Sequence, residues 1–201
     1  MLQSLPIDTV GLPGLAAYML GLLAFFIALM AARSRVARAG AAPLSQKASI
    51  SWLWIFVQGL GVGIAGFGPV RVGLDPMSAK AIIEAVIVLV LILGAVWLFD
   101  ASSRAMGKNW ALVARTRTDH TLVQTGPFAR VRHPIYVALF QFMVAMAIAF
   151  GHTRNLIVGV PLYLAGTWLR IAHEERLLKT QFGAAYDDYA ARVKRFVPGL
   201  F

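Results

Sequence analysis

Two stretches of this chain carry the side chains that could do chemistry, and both are polar islands in an apolar sequence. The first reads His120-Thr121-Leu122-Val123-Gln124-Thr125-Gly126-Pro127-Phe128-Ala129-Arg130-Val131-Arg132-His133-Pro134-Ile135-Tyr136. Gly126-Pro127 predicts a turn, and Pro134 suits the first turn of a helix, where a missing N–H leaves no bond unmade. The free N–H groups of such a helix start, beside Arg130, Arg132 and His133, make a ready site for an anion or carboxylate. The two arginines read equally well as anchors at a membrane face. The second stretch holds Arg170, His173, Glu174 and Glu175. A spacing of four puts Arg170 and Glu174 on one helix face, with His173 beside them. Spacing alone favours an exposed salt bridge there, worth roughly 0.2–0.5 kcal/mol.

Other patterns carry no chemistry. Gly61-Val62-Gly63-Ile64-Ala65-Gly66 spells the dinucleotide pattern GxGxxG, which needs a strand before it and a helix after it. It lies inside a 23-residue run without charge, so it reads as close helix packing, with Gly59 and Gly63 as the GxxxG pair. His120, His133, His152 and His173 lack metal-ligand spacing, and no metal is expected. There is no GxSxG serine motif. With no cysteine in the chain, disulfides, Cys-ligated zinc and thiol nucleophiles are excluded. Glu84 reads as an acid in the first turn of its helix, where the macrodipole favours an anion.

The elements that must position these residues are read from where charge is absent. The chain has 201 residues, 59% hydrophobic and 14% charged, with a mean hydropathy of +0.70. Soluble domains run about 45–50% apolar and about 25% charged, so neither a soluble domain nor a disordered chain fits. Residues 9–32 form a run of 24 without charge, 48–70 one of 23, and 133–153 one of 21. Residues 85–99 and 155–169 give 15 each, the former lengthening to 19 from Ala81 and the latter continuing its pattern to about Lys179. A crossing helix needs about 20 apolar residues. The expected fold is an all-α membrane protein, a single domain over 1–201, with five transmembrane helices at about 11–32, 50–69, 81–99, 134–150 and 155–172. The last two share the short connection 151–155 and read as a hairpin. Continuous apolar runs lack the period-2 alternation of barrel strands. The first segment reads as a span, since its run exceeds the about 7–15 residues of a signal-peptide core and its head holds Asp8 without Lys or Arg.

Of 19 Lys and Arg, four lie in 33–49, six in 100–132 and six from 170 onward, against Arg71, Lys80 and Arg154 between the other spans. This bias places the N-terminus outside and the C-terminus in the cytoplasm. Regions 100–132 and 172–201 then share the cytoplasmic face. The net charge of +10 is thereby assigned to membrane orientation, and no nucleic acid partner is expected. Phe182, Tyr186 and Tyr189 predict a short C-terminal amphipathic helix suited to lie against the membrane.

The segment 120–136, followed by Arg170, Glu174 and Glu175 and then by Phe182, Gly183, Tyr186, Tyr189 and Val193, resembles the isoprenylcysteine carboxyl methyltransferase family. These are integral membrane enzymes that use S-adenosyl-L-methionine (SAM) and release S-adenosyl-L-homocysteine (SAH). The likeness covers 120–201, and the first three helices carry no motif. It implies a cytoplasmic cofactor cleft within 115–201, built from 120–136 and the end of the last span. By the resemblance His120, Thr121, Leu122, Val123, Phe128, His133, Pro134, Ile135, Tyr136 and Glu174 line the cofactor. Arg170 binds substrate, and Arg170 with Glu174 forms the catalytic pair. Phe128 stands where the family commonly has a tyrosine.

The implied activity is methyl transfer from SAM to a lipophilic small-molecule or lipidated substrate, patterned on a prenylcysteine-like carboxylate. Such a carboxylate is ionised at neutral pH, with a pKa of about 4, and needs no base. It needs a cation such as Arg170 to hold it, and transfer is then mostly alignment. The same cleft would serve a phospholipid or amine N-methyltransferase, with Glu175 or His173 as proton acceptor, or a thiol S-methyltransferase. A membrane scaffold with a structural Arg170–Glu174 pair is the non-enzymatic alternative. The absence of an internal repeat argues against a transporter. A lipidic substrate arriving from the bilayer and SAM arriving from the cytoplasm predict two openings to one site.

Overall fold

The computed structural model describes residues 7–39, 44–47, 51–110, 115–117 and 121–200, with the backbone alone for 44–47, 51 and 115–117. Six helices form: α1 Leu12–Arg38, α2 Ser51–Ala65, α3 Ala79–Met106, α4 Pro134–Ala149, α5 Leu156–Phe182 and α6 Ala184–Arg192. Three helical stretches, Leu12–Arg38, Ala79–Asn109 and Thr153–Phe182, are long and apolar enough to cross a membrane, while Trp52–Ala65 and Pro134–Ala149 are shorter apolar helices. Only 22% of the apolar window of each of the first two is buried in the protein. Leu20, Ile27, Val90, Trp97 and Ile157 are all exposed, as an all-α membrane protein requires of lipid-facing positions.

Helix ends follow punctuation in the sequence more than charge. α2 stops at Ala65, short of the expected 69, because Gly68 takes a φ of +137° and Pro69 follows it. α3 runs past 99 through Asp100 and Arg104 until Gly107, at φ +52°. α5 continues ten residues beyond the expected 172 and ends at Gly183, at φ +53°. These glycines adopt left-handed conformations that side chains resist, and so terminate helices. Glu84 sits in the second turn of α3, which Ser78 caps, and pairs with Lys80 at 3.8 Å.

The bundle is organised by three helix pairs: α1 on α3, α3 on α4, and α2 on α5. The turn between α4 and α5 is short, as expected, yet the two do not form a mutually packed hairpin; α4 lies chiefly on α3 and α5 chiefly on α2. Small residues permit the α2–α5 contact, but through a different face from the one spacing suggests. Gly59 and Gly63 have nothing within 4 Å of an added Cβ. A Cβ on Gly61 would lie 2.6 Å from Tyr163 N and 2.7 Å from Gly159 O, and one on Gly166 would lie 2.7 Å from Gln58 N. Gly61, Gly159 and Gly166 are the contact.

Two small ladders tie off opposite ends of the bundle. β1 Thr9–Val10 pairs in parallel with β3 Arg71–Val72, and β2 Leu44–Lys47 pairs antiparallel with β4 Arg115–Arg117. The sixteen basic residues of 33–49, 100–132 and 170–195 gather at the second end. There α6 folds back, and its apolar face turns inward instead of toward a membrane. Tyr186, Tyr189 and Val193 are buried against Leu122, Leu178 and Phe182, and Tyr189 OH donates to Phe128 O at 2.7 Å.

Candidate functional site

The site is built where the start of α4, the far part of α5 and the tail after α6 converge. Pro134 occupies the first turn of α4, as its missing N–H allows. The residues before it are extended and pair with the returning tail. Arg132 N donates to Lys194 O at 2.8 Å, and His133 N donates to Arg195 O at 3.0 Å. This pairing turns the Arg132 and His133 side chains toward Glu175.

Glu175 is the electrostatic hub. Its carboxylate accepts from Arg132 Nε at 3.1 Å and Nη2 at 3.0 Å, and from Arg195 Nη2 at 2.6 Å, and lies 3.0 Å from His133 Nε2. Arg132 Nη1 also donates to Ala190 O and Val193 O, each at 2.7 Å. Glu175 lies past the apolar part of α5. Burial pushes its carboxyl up, but the hydrogen bonds from His133 and Arg195 and the charges of His133 and Arg132 outweigh that. The group is held well below the usual carboxylate range. These contacts hold Glu175 in its charged form, as the link between the segment before α4 and the tail.

On the adjoining face of α5, Glu174 and Arg170 meet α4 through a single ring. Tyr136 OH donates to Glu174 Oε2 at 2.9 Å, and Arg170 Cζ lies 5.2 Å from the Tyr136 ring centroid. Arg170 Nη1 donates to Gln58 Oε1 at 3.2 Å, and Gln58 Nε2 donates to Thr167 Oγ1 at 2.7 Å. Arg170 is 8% exposed, Gln58 5% and Thr167 1%. The exposed salt bridge that spacing favours is therefore not what forms; the guanidinium is buried on a built platform. Tyr163 OH, donating to Tyr136 O at 2.6 Å, fixes the backbone beneath the ring.

These groups border a cavity of about 220 Å³. Its polar side is Arg132, His133, Tyr136, Arg170 and Glu174, and its apolar side is Phe25 and Leu29 of α1 with Phe99, Met106 and Trp110. Phe128, Pro134, Ile135 and Leu139 complete it. Among the residues singled out from sequence, Phe128, His133, Pro134, Ile135, Tyr136, Arg170 and Glu174 thus come together at one cavity. Thr121 stands outside it, its carbonyl and hydroxyl accepting from Asn109 Nδ2 at 3.1 and 2.9 Å. Leu122 packs beneath α6, and Val123 is half-buried beside it. His120 lies outside the described residues. His173 Nε2 is buried without a hydrogen-bond partner among the described residues. His152 is at the opposite end, on Pro69 O at 3.1 Å.

Three contributors escaped the sequence reading. The aromatic wall joins Phe99 of α3 to Trp110, just after the turn that follows it, and neither lies in a motif; its one signal is an aromatic just past the helix-ending Gly107. Gln58 is a polar residue within an uncharged run, and the rule that such residues seek a partner in the membrane would have flagged it. The pairing of Glu175 with Arg195 has no local signal.

A carboxylate and a guanidinium side by side at the mouth of an aromatic chamber can bind a charged molecule and an apolar one together. Residues 81–180 match the family described as Isoprenylcysteine carboxyl methyltransferase (ICMT) family. The chain is 32% identical over 109 residues to the nickel-cobalt-cadmium resistance protein NccN of Alcaligenes xylosoxydans xylosoxydans, covering 52% of this chain and 49% of that one. It is 33% identical over 94 residues to the protein-S-isoprenylcysteine O-methyltransferase of Tribolium castaneum, covering 45% of this chain and 32% of the relative. With the protein of that name from Schizosaccharomyces pombe it shares 31% over 91 residues, 43% of this chain and 37% of the relative. The chain spans about half or less of the length of these relatives.

Proposed function

The chain belongs, through residues 81–180, to the isoprenylcysteine carboxyl methyltransferase family, and from that premise we propose that it transfers a methyl group from SAM to a lipophilic substrate at the cytoplasmic face of the membrane. The acceptor in this reading is a prenylcysteine-like carboxylate. The observation that carries it is the cavity in which buried Arg170 and half-buried Glu174 face an aromatic wall.

The residues present suit SAM. Glu174 offers a carboxylate to an ammonium or a ribose hydroxyl, and Phe99, Trp110 and Phe128 offer ring faces to a purine or a cation. In this reading Thr121, Leu122 and Val123, the first held by Asn109 and the second by α6, flank the bound cofactor, with His120 next in sequence. When bound, SAM supplies a methyl group activated on sulfonium. Arg170 binds the acceptor carboxylate, and its low-dielectric setting makes that pairing stronger than on a surface. Gln58 and the Tyr136 ring restrict the guanidinium to one orientation, so the chain's contribution is alignment. The apolar wall keeps water from competing. An amine would need a proton acceptor, for which His173, whose Nε2 has no hydrogen-bond partner among the described residues, is a candidate. A carboxylate needs none, and is preferred.

The basic end of the bundle supports a cytoplasmic site with the N-terminus outside. α2 and α4 then complete five spans. At 15 and 16 residues they are about 23 Å long, under the roughly 30 Å hydrocarbon core, so the bilayer thins beside them or their flanking turns sit within it. Calorimetric titration of the purified protein with SAH tests the reading. Micromolar or tighter binding is expected; no binding to folded protein overturns it and leaves the scaffold alternative.

A further inference from the structure

A second cavity, about 300 Å³, lies on the outer side of α5 against the tail. Its cations are Arg132, Lys194 and Arg195, and its apolar walls are Trp168, Phe196 and Leu200. We propose that this pocket binds the phosphate head of an anionic phospholipid, with the lipid's apolar part lying along Trp168 and Leu200.

The charge balance points to an anion. Among the described residues Glu175 is the carboxylate in contact with Arg132 and Arg195, so three cations there meet one carboxylate and leave a surplus of two. Among the described residues the Lys194 side chain makes no hydrogen bond or ion pair, while its backbone is held by Arg132 N. A positive group is therefore presented on a fixed backbone with its own charge unspent.

The walls point to a lipid over a free ion. Trp168 is 54% exposed on the same outward surface as Leu164 and Leu169, and Leu200 is 72% exposed. Arg195 Cζ lies 4.8 Å from the Trp168 ring centroid. Trp168 sits two residues before Arg170, where the apolar part of α5 gives way to charge. Interfacial tryptophan at that depth marks the head-group level, and basic pockets beside cytoplasmic helix ends recognise lipid head groups. A free phosphate would gain nothing from three apolar side chains. This reading does not rest on methyl transfer, although Arg132 lines both cavities.

Native mass spectrometry of protein released from mixed micelles, equimolar in dioleoylphosphatidylglycerol and dioleoylphosphatidylcholine, tests the proposal. Preferential retention of phosphatidylglycerol is expected. Lys194→Glu should lower that preference about fivefold or more, whereas Arg38→Glu, exposed at the same end but outside the pocket, should leave it unchanged. Lys194→Gln removes the charge without reversing it and carries the same test with a smaller loss if the first variant does not fold. Equal retention of both lipids overturns the proposal, as does an equal loss with Arg38→Glu, which would mean diffuse attraction. Displacement of the lipid by millimolar inorganic phosphate would also overturn it, in favour of a free-anion site.

Discussion

Arg170 stacks over Tyr136, its guanidinium carbon 5.2 Å from the ring centroid, while the hydroxyl of that ring donates to Glu174. One tyrosine in the first turn of α4 thus orients both the cation and the anion of α5. Each charge uses a different part of that side chain, the guanidinium the ring and the carboxylate the hydroxyl, and Arg170 is held by Gln58 as well.

That arrangement predicts that the two charges separate in function. Glu174→Ala should weaken SAH binding at least about tenfold, ~1.4 kcal/mol. Arg170→Ala should leave SAH affinity within about threefold and abolish methyl transfer to a prenylcysteine analogue. Calorimetry and a radiolabelled methyl assay measure the pair. An equal loss of binding in both variants would assign Arg170 to the cofactor or to the fold.

Glu175 predicts an acid-sensitive component of stability. Its carboxyl is held below its ordinary value near 4.5, so its contribution is fully present above that pH and is lost as pH falls toward the folded-state value. Glu175→Gln should cost about 2–3 kcal/mol at pH 7, discounted from buried-pair values because Arg195 is partly exposed. Thermal unfolding in detergent should show the gap between the two proteins closing as pH drops below about 4.5. A constant gap from pH 7 to pH 3 would contradict the assignment.

The packing of α2 on α5 predicts opposite outcomes for neighbouring glycines. Gly61→Ala drives a methyl into the backbone of Tyr163 and Gly159, which cannot yield, and should destabilise by ~1–3 kcal/mol. Gly63→Ala meets open space and should be neutral or stabilising by up to about 1 kcal/mol, through helix propensity. Melting temperatures of the two variants measure this, and equal effects would refute the interface.

The chain lacks cysteine, so single cysteines report topology without background. In intact cells a membrane-impermeant maleimide should label Met77→Cys and Arg154→Cys, and should reach Arg38→Cys and Arg176→Cys only after permeabilisation. Labelling of Met77→Cys outside shows that α2 crosses, and Arg154→Cys does the same for α4. The reverse pattern would invert the orientation.

Much of the scaffold is legible in the residues because the bilayer imposes one simple demand, and long charge-free runs meet it. Helix ends are less so. Asp100 and Arg104 end an apolar run without ending α3, since a helix tolerates charge once clear of lipid and stops only at Gly107. The Gly59–Gly63 spacing matches the expected motif yet points away from α5, because spacing fixes a face without saying which face is covered. Phe128, His133, Tyr136, Arg170 and Glu174 are recognisable from their motifs. Glu175, next to Glu174, holds the segment and the tail together through Arg195, twenty residues away, and that closure depends on a chain reversal that no local pattern encodes. The tyrosines of α6 similarly read as membrane-facing, because an apolar face is the same signal whether protein or lipid covers it.

The return of the tail onto the start of α4 sets an order of assembly. Arg132 relies on the carbonyls of Ala190, Val193 and Lys194, His133 on that of Arg195, and Glu175 on the Arg195 side chain. All of these partners are translated after α5. As the chain grows from its N-terminus, the helices can settle in the bilayer while the knot around Glu175 is still open, and it closes only when residue 195 has emerged. Every helix of the bundle is therefore synthesised before the last partners of the site are.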